Sequence, residues 1–307
     1  DAAVNLSLVS KFSVTVTFAA TVTPYLFSSS DLGSSNTDNT TNDDTPEISL
    51  SGLTVGAVIT LTATPTTGTA VVCTFTATGT TGSCPFTTLA NGTYSVAATQ
   101  TFNSVTSAAS FALTGLVINK STIATPATPD LDVASDSGSS ATDNATADNT
   151  PTINVSGTFS GTAVVTASKQ GSTSVSCTIS SNNCTLATLS DGIWSISVTD
   201  TDSAGNSTTS TALSITVDAT APSPTVATSS VTTASGLTTR SSEIGTAYLV
   251  KSTIVVNSLS DITNAANDNY NEVTISAANS DTAMSTAGLV TGDYKLYVID
   301  ALGNLSL

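Results

Sequence analysis

The chain has 307 residues, 39% of them hydrophobic and only 9% charged, which is apolar material for two or three ordinary domains and unlike a charge-rich disordered chain. The formal net charge is −16, with six Lys plus Arg and no His. This disfavours nucleic acid, whose phosphates need clustered Lys and Arg, and anionic membrane surfaces; it suits divalent cations. Without His, neither a Ser-His-Asp nor a Cys-His arrangement can form, so the chain reads as a non-enzyme. No apolar run is long enough to span a bilayer, which argues against membrane insertion.

In chain order, residues 1–23 read as an N-terminal donor or linker strand. Phe12, Val14 and Val16 alternate with Ser13 and Thr15, the period-two pattern of a half-buried strand. A first module is expected over 24–122. It carries the acidic turn stretch Asp31-Leu-Gly-Ser-Ser-Asn-Thr-Asp38-Asn39, Pro46 before an apolar strand, the pair Cys73 and Cys84, a strand at Gly92-Thr-Tyr94-Ser-Val96, and a last strand near Phe111 and Leu113.

A second module, over 123–218, repeats this order. Asp136-Ser-Gly-Ser-Ser-Ala-Thr-Asp143-Asn144 leads to Pro151, then to Cys177 and Cys184, then to Gly192-Ile-Trp194-Ser-Ile196. A third module, over 219–307, keeps the Gly292-Asp-Tyr294-Lys-Leu296 strand, so the aromatic recurs at spacings of 100 and 100. One inward aromatic per module anchors a sandwich core, which is a better reading of Tyr94, Trp194 and Tyr294 than a sugar-stacking platform. Proline-bearing junctions at Pro126, Pro129, Pro222 and Pro224 separate the modules. The fold expected is all-β, tandem immunoglobulin-like β-sandwiches arranged as an elongated array.

The ends echo each other. Asp1-Ala-Ala-Val-Asn-Leu-Ser-Leu8 and Asp300-Ala-Leu-Gly-Asn-Leu-Ser-Leu307 share six of eight residues. Asn5 aligns without gaps with Asn206, which puts Phe12, Val14 and Val16 in register with Leu213, Ile215 and Val217 of the second module's final strand. The sequence therefore reads as a last strand at one end and a module without one at the other, in a mature form or excised segment with no visible signal peptide.

These stretches resemble the bacterial immunoglobulin-like repeats of giant secreted adhesins and related surface proteins. The resemblance rests on the Asp-Ser-Gly-Ser-Ser stretch at 136–140, the Asp191-Gly192-x-aromatic strand, and Asp202-Ser-Ala-Gly-Asn206 before Val217-Asp-Ala-Thr-Ala-Pro222; in the first module Tyr25, Phe27 and Phe102-Asn103 depart from it. It implies a sandwich fold, export, arrays and calcium near the junctions.

Three groups of residues carry the expectations for chemistry. Asp130, Asp132, Asp136, Asp143, Asp148, Asp200, Asp202 and Asp218 offer the oxygens that calcium requires, without EF-hand spacing, and the ion is expected between the 130–148 segment and the 200–206 loop. The same Asp and Asn residues also serve as turn formers in solvated loops. Cys73 with Cys84 and Cys177 with Cys184 fall at matching module positions and read as two disulfides, hence an oxidising, extracellular or cell-surface location. Phe12, Val14 and Val16 form the assembly strand. The function expected is a structural repeat unit of a fibre, stalk or surface layer, whose partners are copies of itself joined head to tail, with residues 9–18 donated to the neighbour's third module. The alternative is an adhesion module for glycan or protein ligands at the cell surface or matrix.

Overall fold

The computed structural model describes residues 18–138, 140–226 and 236–307; Phe12, Val14 and Val16 lie outside the described residues. The chain divides into two compact units. One comprises 1–124, 160–162 and 201–208, and the other 125–159, 163–200 and 209–307.

Within the first unit two sheets face each other, antiparallel except where Thr40–Thr41 runs parallel to Leu113–Ile118. The smaller orders Tyr25–Leu26, Glu47–Ser51 and Thr81–Pro85. The larger orders Thr40–Thr41, Leu113–Ile118, Gly92–Phe102, Val58–Pro65 and Val71–Thr76, with Val105–Thr106 returning along Gly92–Phe102. Strict alternation in Val58–Pro65 and Gly92–Phe102 sends Ile59, Leu61, Ala63, Tyr94, Val96 and Ala98 inward, where they meet Ile48, Leu50 and Cys84 of the facing sheet. The closing strand starts at Leu113, and Phe111 is 86% exposed. A register shift opposite Tyr94, with Gly115 at φ +77°, keeps Leu116 and Ile118 pointing inward despite the extra residue.

The second unit repeats this arrangement with Asp130–Leu131, Thr152–Asn154 and Asn183–Thr185 in one sheet. The other orders Ala145–Thr146, Leu213–Val217, Gly192–Thr201, Thr162–Ser168 and Val175–Thr178. The recurrent aromatics are core residues with a fixed polar end. Tyr94 Oη donates to the Ala90 carbonyl at 2.9 Å, Trp194 Nε1 to Ser190 at 2.8 Å and Tyr294 Oη to Val290 at 2.7 Å. Tyr94 and Trp194 bury their rings, and Tyr294 packs partly buried against its core, without orphaning the donor. Disulfides join Cys73 to Cys84 and Cys177 to Cys184, with Cα separations of 6.3 and 6.0 Å.

The third stretch departs from the first two. Its sheets are Pro224–Val226, Leu237–Ser241 and Thr282–Met284, and Tyr270–Ile275, Gly245–Lys251 and Tyr294–Ile299. Val273 and Met284 take the cysteine places: Val273 pairs with Ala247 as Cys73 does with Leu61, and both belong to the core. Gly245–Lys251 is apolar on both faces. Ala247 and Leu249 enter the main core, while Tyr248 and Val250 enter a second cluster on the outer face with Ile262 and Tyr297. Ile262 belongs to a short helix, Leu259–Thr263, that the all-β expectation did not include. It begins where Asp261 Oδ2 accepts the amides of Asn257 and Ser258.

Candidate functional site

The long aromatic strand of each module turns back at a tip, and two of the tips are built alike. Asp202 Oδ1 accepts the amides of Ala204 (3.0 Å) and Asn206 (2.9 Å), and its Oδ2 accepts Asn206 Nδ2. Asp300 does the same for Leu302, Asn304 and Asn304 Nδ2. The fixed asparagine then donates outward. Within the first unit Asn206 Nδ2 reaches the carbonyl of Asn119 at 2.9 Å, and within the second unit Asn304 Nδ2 reaches Asp218 at 2.7 Å. Asn119 and Asp218 are the residues that follow the closing strands Leu113–Ile118 and Leu213–Val217. A glycine of the acidic turn lies against each tip: a Cβ on Gly33 would sit 2.1 Å from the Ser203 carbonyl oxygen, and one on Gly138 2.8 Å from that of Ala301.

The predicted carboxylates divide by role. Asp132 Oδ1 accepts the Ala134 amide and its Oδ2 the Asn154 side chain, which holds its pKa below the ordinary value. Asp143 caps Ala145, and Asp148 binds Thr150 and Ser135. These are turn-forming uses. Asp130 pairs with Asn154 on an edge and is exposed; Asp200 is buried at 1% exposure. Asp202 is committed to its own tip, and residues 201–208 group with the first unit whereas 130–148 belong to the second. In the second unit it is Ala301 and Leu302 that meet the 130–148 turn, at Gly138.

Asp136 differs from its neighbours. It is 6% exposed, its Oδ2 accepts the Asn144 amide at 3.2 Å, and its Oδ1 is buried with no hydrogen-bond partner. Asp31, at the same place in the first module, is 4% exposed with Oδ2 on Asn39 and Oδ1 likewise unpartnered.

Asp218 is brought together with Glu243 and Asp300, and one carboxylate oxygen of each lies within 4.8 Å of the others. Burial, followed by the charges of its neighbours, pushes Glu243 above the usual carboxylate range; burial and the charge of Asp300 do the same for Asp218, against the Thr220 amide. The Glu243 Oε2 atom is buried without a hydrogen bond. Sequence reasoning did not single out Glu243 or Asp300. Asp300 was visible in the echo of Asp202-Ser-Ala-Gly-Asn206, while Glu243 has no acidic counterpart in the other modules.

Asp191 was also missed as a structural clasp. Its Oδ1 accepts the Ala219 amide at 2.9 Å and its Oδ2 bonds the Thr220 hydroxyl, so these bonds hold its pKa down. Asn91 Oδ1 accepts the Lys120 amide at 2.9 Å in the same way.

The last feature is an edge. Gly92–Phe102 pairs with Leu113–Ile118, and Gly192–Thr201 with Leu213–Val217. Among the described residues Tyr294–Ile299 has a strand neighbour on its Gly245–Lys251 side, and its other side carries the single bridge Ile299–Leu305. A serine clasp that precedes the closing strand is nevertheless present in all three modules. Ser110, Ser210 and Ser306 each donate their amide to the carbonyl of Ala98, Val198 or Val298 and accept that residue's amide at Oγ.

The family description "bacterial Ig-like domain" matches residues 17–117 and 122–219. Among solved structures, a tetra-tandem repeat in the extending region of a large adhesion protein is 18% identical, with 93% of this chain and 72% of that chain covered and a TM-score of 0.26. The chicken CNTN1 FN1–FN3 domains are 11% identical, covering 93% and 94%, with a TM-score of 0.27. No curated protein matches the chain. Among the described residues no helix is long and apolar enough to cross a membrane. Facing sheets, repeated aromatic strands and the match over both of the first two modules lead to one conclusion: the chain belongs to the bacterial Ig-like domain family.

Proposed function

We propose that the chain is a non-enzymatic structural unit of an extracellular fibre, stalk or surface layer, and that its third module is completed by a strand of the 9–18 type supplied from the following unit. The supporting observation is the burial of matching core positions. Tyr94 and Val96 are 4% and 0% exposed, and Trp194 and Ile196 are 2% and 0%, each beneath a closing strand. Tyr294 and Leu296 are only partly buried. A strand laid along Tyr294–Leu296, short of the Val298–Ser306 clasp and the Ile299–Leu305 bridge, would extend the sheet and cover both side chains. Phe12, Val14 and Val16 have the alternation required. The following unit is a separate subunit or the next stretch of one longer chain.

Sedimentation and electron microscopy of the chain, with and without residues 1–17, test this reading. The intact chain should form head-to-tail oligomers and the truncated one should stay monomeric until a 1–17 peptide is added. Normal assembly of the truncated chain would rule out strand donation.

Calcium belongs to the same proposal. Its donor set fits a hard cation: Asp31 and Asp136 each bury an unpartnered carboxylate oxygen, and the grouped carboxylates of Asp218, Glu243 and Asp300 repel one another when unneutralised. The ion would supply charge neutralisation where tip and closing-strand end meet. Calorimetric titration of the chain checks this, with no heat at millimolar calcium as the negative result.

A further inference from the structure

Most aromatic side chains of this protein are buried or half-buried. Among the described residues the exposed ones are Tyr25 (54%), Phe27 (41%) and Phe111. Tyr25 belongs to the edge strand of the first module's smaller sheet, and Phe27 continues it, since its amide donates to the Glu47 carbonyl at 2.9 Å. Two residues apart, both rings project from the outer face, roughly 7 Å from each other along the strand, while Leu26 between them turns into the core. The ring contacts among the described residues are Phe18 with Phe102 and Tyr248 with Tyr270, so the faces of Tyr25 and Phe27 are unstacked.

Cross-strand pairing sets what stands beside the rings, because paired side chains share a face. Tyr25 is opposite Ser49, which is opposite Ser83; Phe27 lies beside Glu47, which is opposite Pro85. The Ser83 hydroxyl donates to Glu47 Oε1, which holds the carboxylate and leaves Oε2 as an acceptor beside Phe27. In the second module the same places carry Asp130 and Asp132, opposite Asn154 and Thr152. Polar residues there keep an exposed edge from pairing with other chains. The first module places two rings on that edge instead.

We infer that this outer face is a glycan-binding platform, with Tyr25 and Phe27 as stacking rings and Glu47 as hydrogen-bond acceptor, for a neutral β-1,4-linked chain of pyranose rings whose substituents are all equatorial. Such a sugar carries its hydroxyls around the rim and presents axial C–H groups above and below. That apolar face packs on the electron-rich face of an aromatic ring, and the rim hydroxyls donate to the carboxylate. The two rings lie along one strand rather than around a cavity, which suits an extended polymer better than a small molecule that must be enclosed. Glu47 is the one charged group among these six residues and the chain carries a net charge of −16, so anionic polysaccharides are repelled. A stable protein partner would need about 800 Å² on this side, more than two rings and a proline offer. The inference concerns a ligand and does not depend on strand donation.

Isothermal titration of the full chain with cellohexaose, and with its N-acetylamino counterpart chitohexaose, tests this. Saturable binding of at least one is expected, and the comparison tells which substituent the platform accepts. Tyr25→Ala and Phe27→Ala should each weaken binding about fivefold or more. The Tyr25→Asp, Phe27→Asp double variant should abolish it. That variant installs the residues the second module already carries at these places, so its melting curve should match wild type. No heat from either sugar at millimolar concentration, or equal binding by wild type and the double variant, overturns the inference. Binding of hexalysine but of neither sugar, lost in the double variant, would make the face a site for a basic peptide and overturns it as well.

Discussion

The Asn304 side chain donates to the backbone carbonyl of Asp218 at 2.7 Å, as Asn206 does to that of Asn119 at 2.9 Å. In both, an aspartate three residues before the turn's glycine has already fixed the amide, so little rotamer freedom remains to be lost on contact. Asn304→Ala and Asn206→Ala should each lower stability by about 1 kcal/mol in urea unfolding. Asn304→Asp should cost more, because its carboxylate would face both the Asp218 carbonyl and the Asp300 carboxylate.

The group of Asp218, Glu243 and Asp300 sets a pH dependence. Asp218 and Glu243 have folded-state pKa values raised above their unfolded ones, by burial first and by neighbouring carboxylates second. Such groups add stability that is fully present below the unfolded pKa and lost as pH rises through the folded value. In EDTA the contribution of this cluster to the melting temperature should therefore fall as pH rises above the ordinary carboxylate values of 3.8 and 4.5 that apply to the unfolded groups. Asp218→Asn should flatten that slope, and calcium should raise the melting temperature at the upper end. Asp132 and Asp191, whose pKa values are lowered, act in the opposite sense only below the ordinary carboxylate value of 3.8. Identical pH profiles for wild type and Asp218→Asn would show that the cluster does not titrate as a group.

Val273 and Met284 occupy the disulfide position of the other modules, with the same separation of 11 residues as Cys73 and Cys84. The double variant Val273→Cys, Met284→Cys should oxidise to a disulfide without rearranging the sheets. By loop-closure entropy it should gain roughly 2–3 kcal/mol relative to its reduced form. Non-reducing peptide mapping and melting with and without reductant read out both parts.

Ser210 is 9% exposed, and its hydroxyl accepts the buried Val198 amide at 3.0 Å. Ser210→Ala orphans that amide and should cost about 1–3 kcal/mol, whereas Ser210→Thr, which keeps the oxygen, should cost less. Hydrogen exchange at the Val198 amide should rise in the alanine variant alone.

Features that repeat with a period were legible before any folding was considered. Alternation after Gly92, Gly192 and Gly292 marks the long strand because a pleated strand sends every second side chain to one face. Tyr94, Trp194 and Tyr294 are legible as core for the same reason, and paired cysteines at matching positions announce their own bridges. The helix Leu259–Thr263 escaped because it has no counterpart to align with, and because Tyr248 and Val250 make their strand apolar on both faces, which erases the period-two signal. Tertiary structure alone decided which carboxylates matter. Asp132, Asp143 and Asp148 look like Asp136 in sequence, but only folding shows that local amides and hydroxyls satisfy the first three and leave one Asp136 oxygen without a partner. Glu243 reaches Asp218 and Asp300 only because a sheet and a tip bring together residues far apart in the chain. Composition and spacing report what a segment can form locally; solvent access and charge proximity depend on distances that are set when the sheets close on one another.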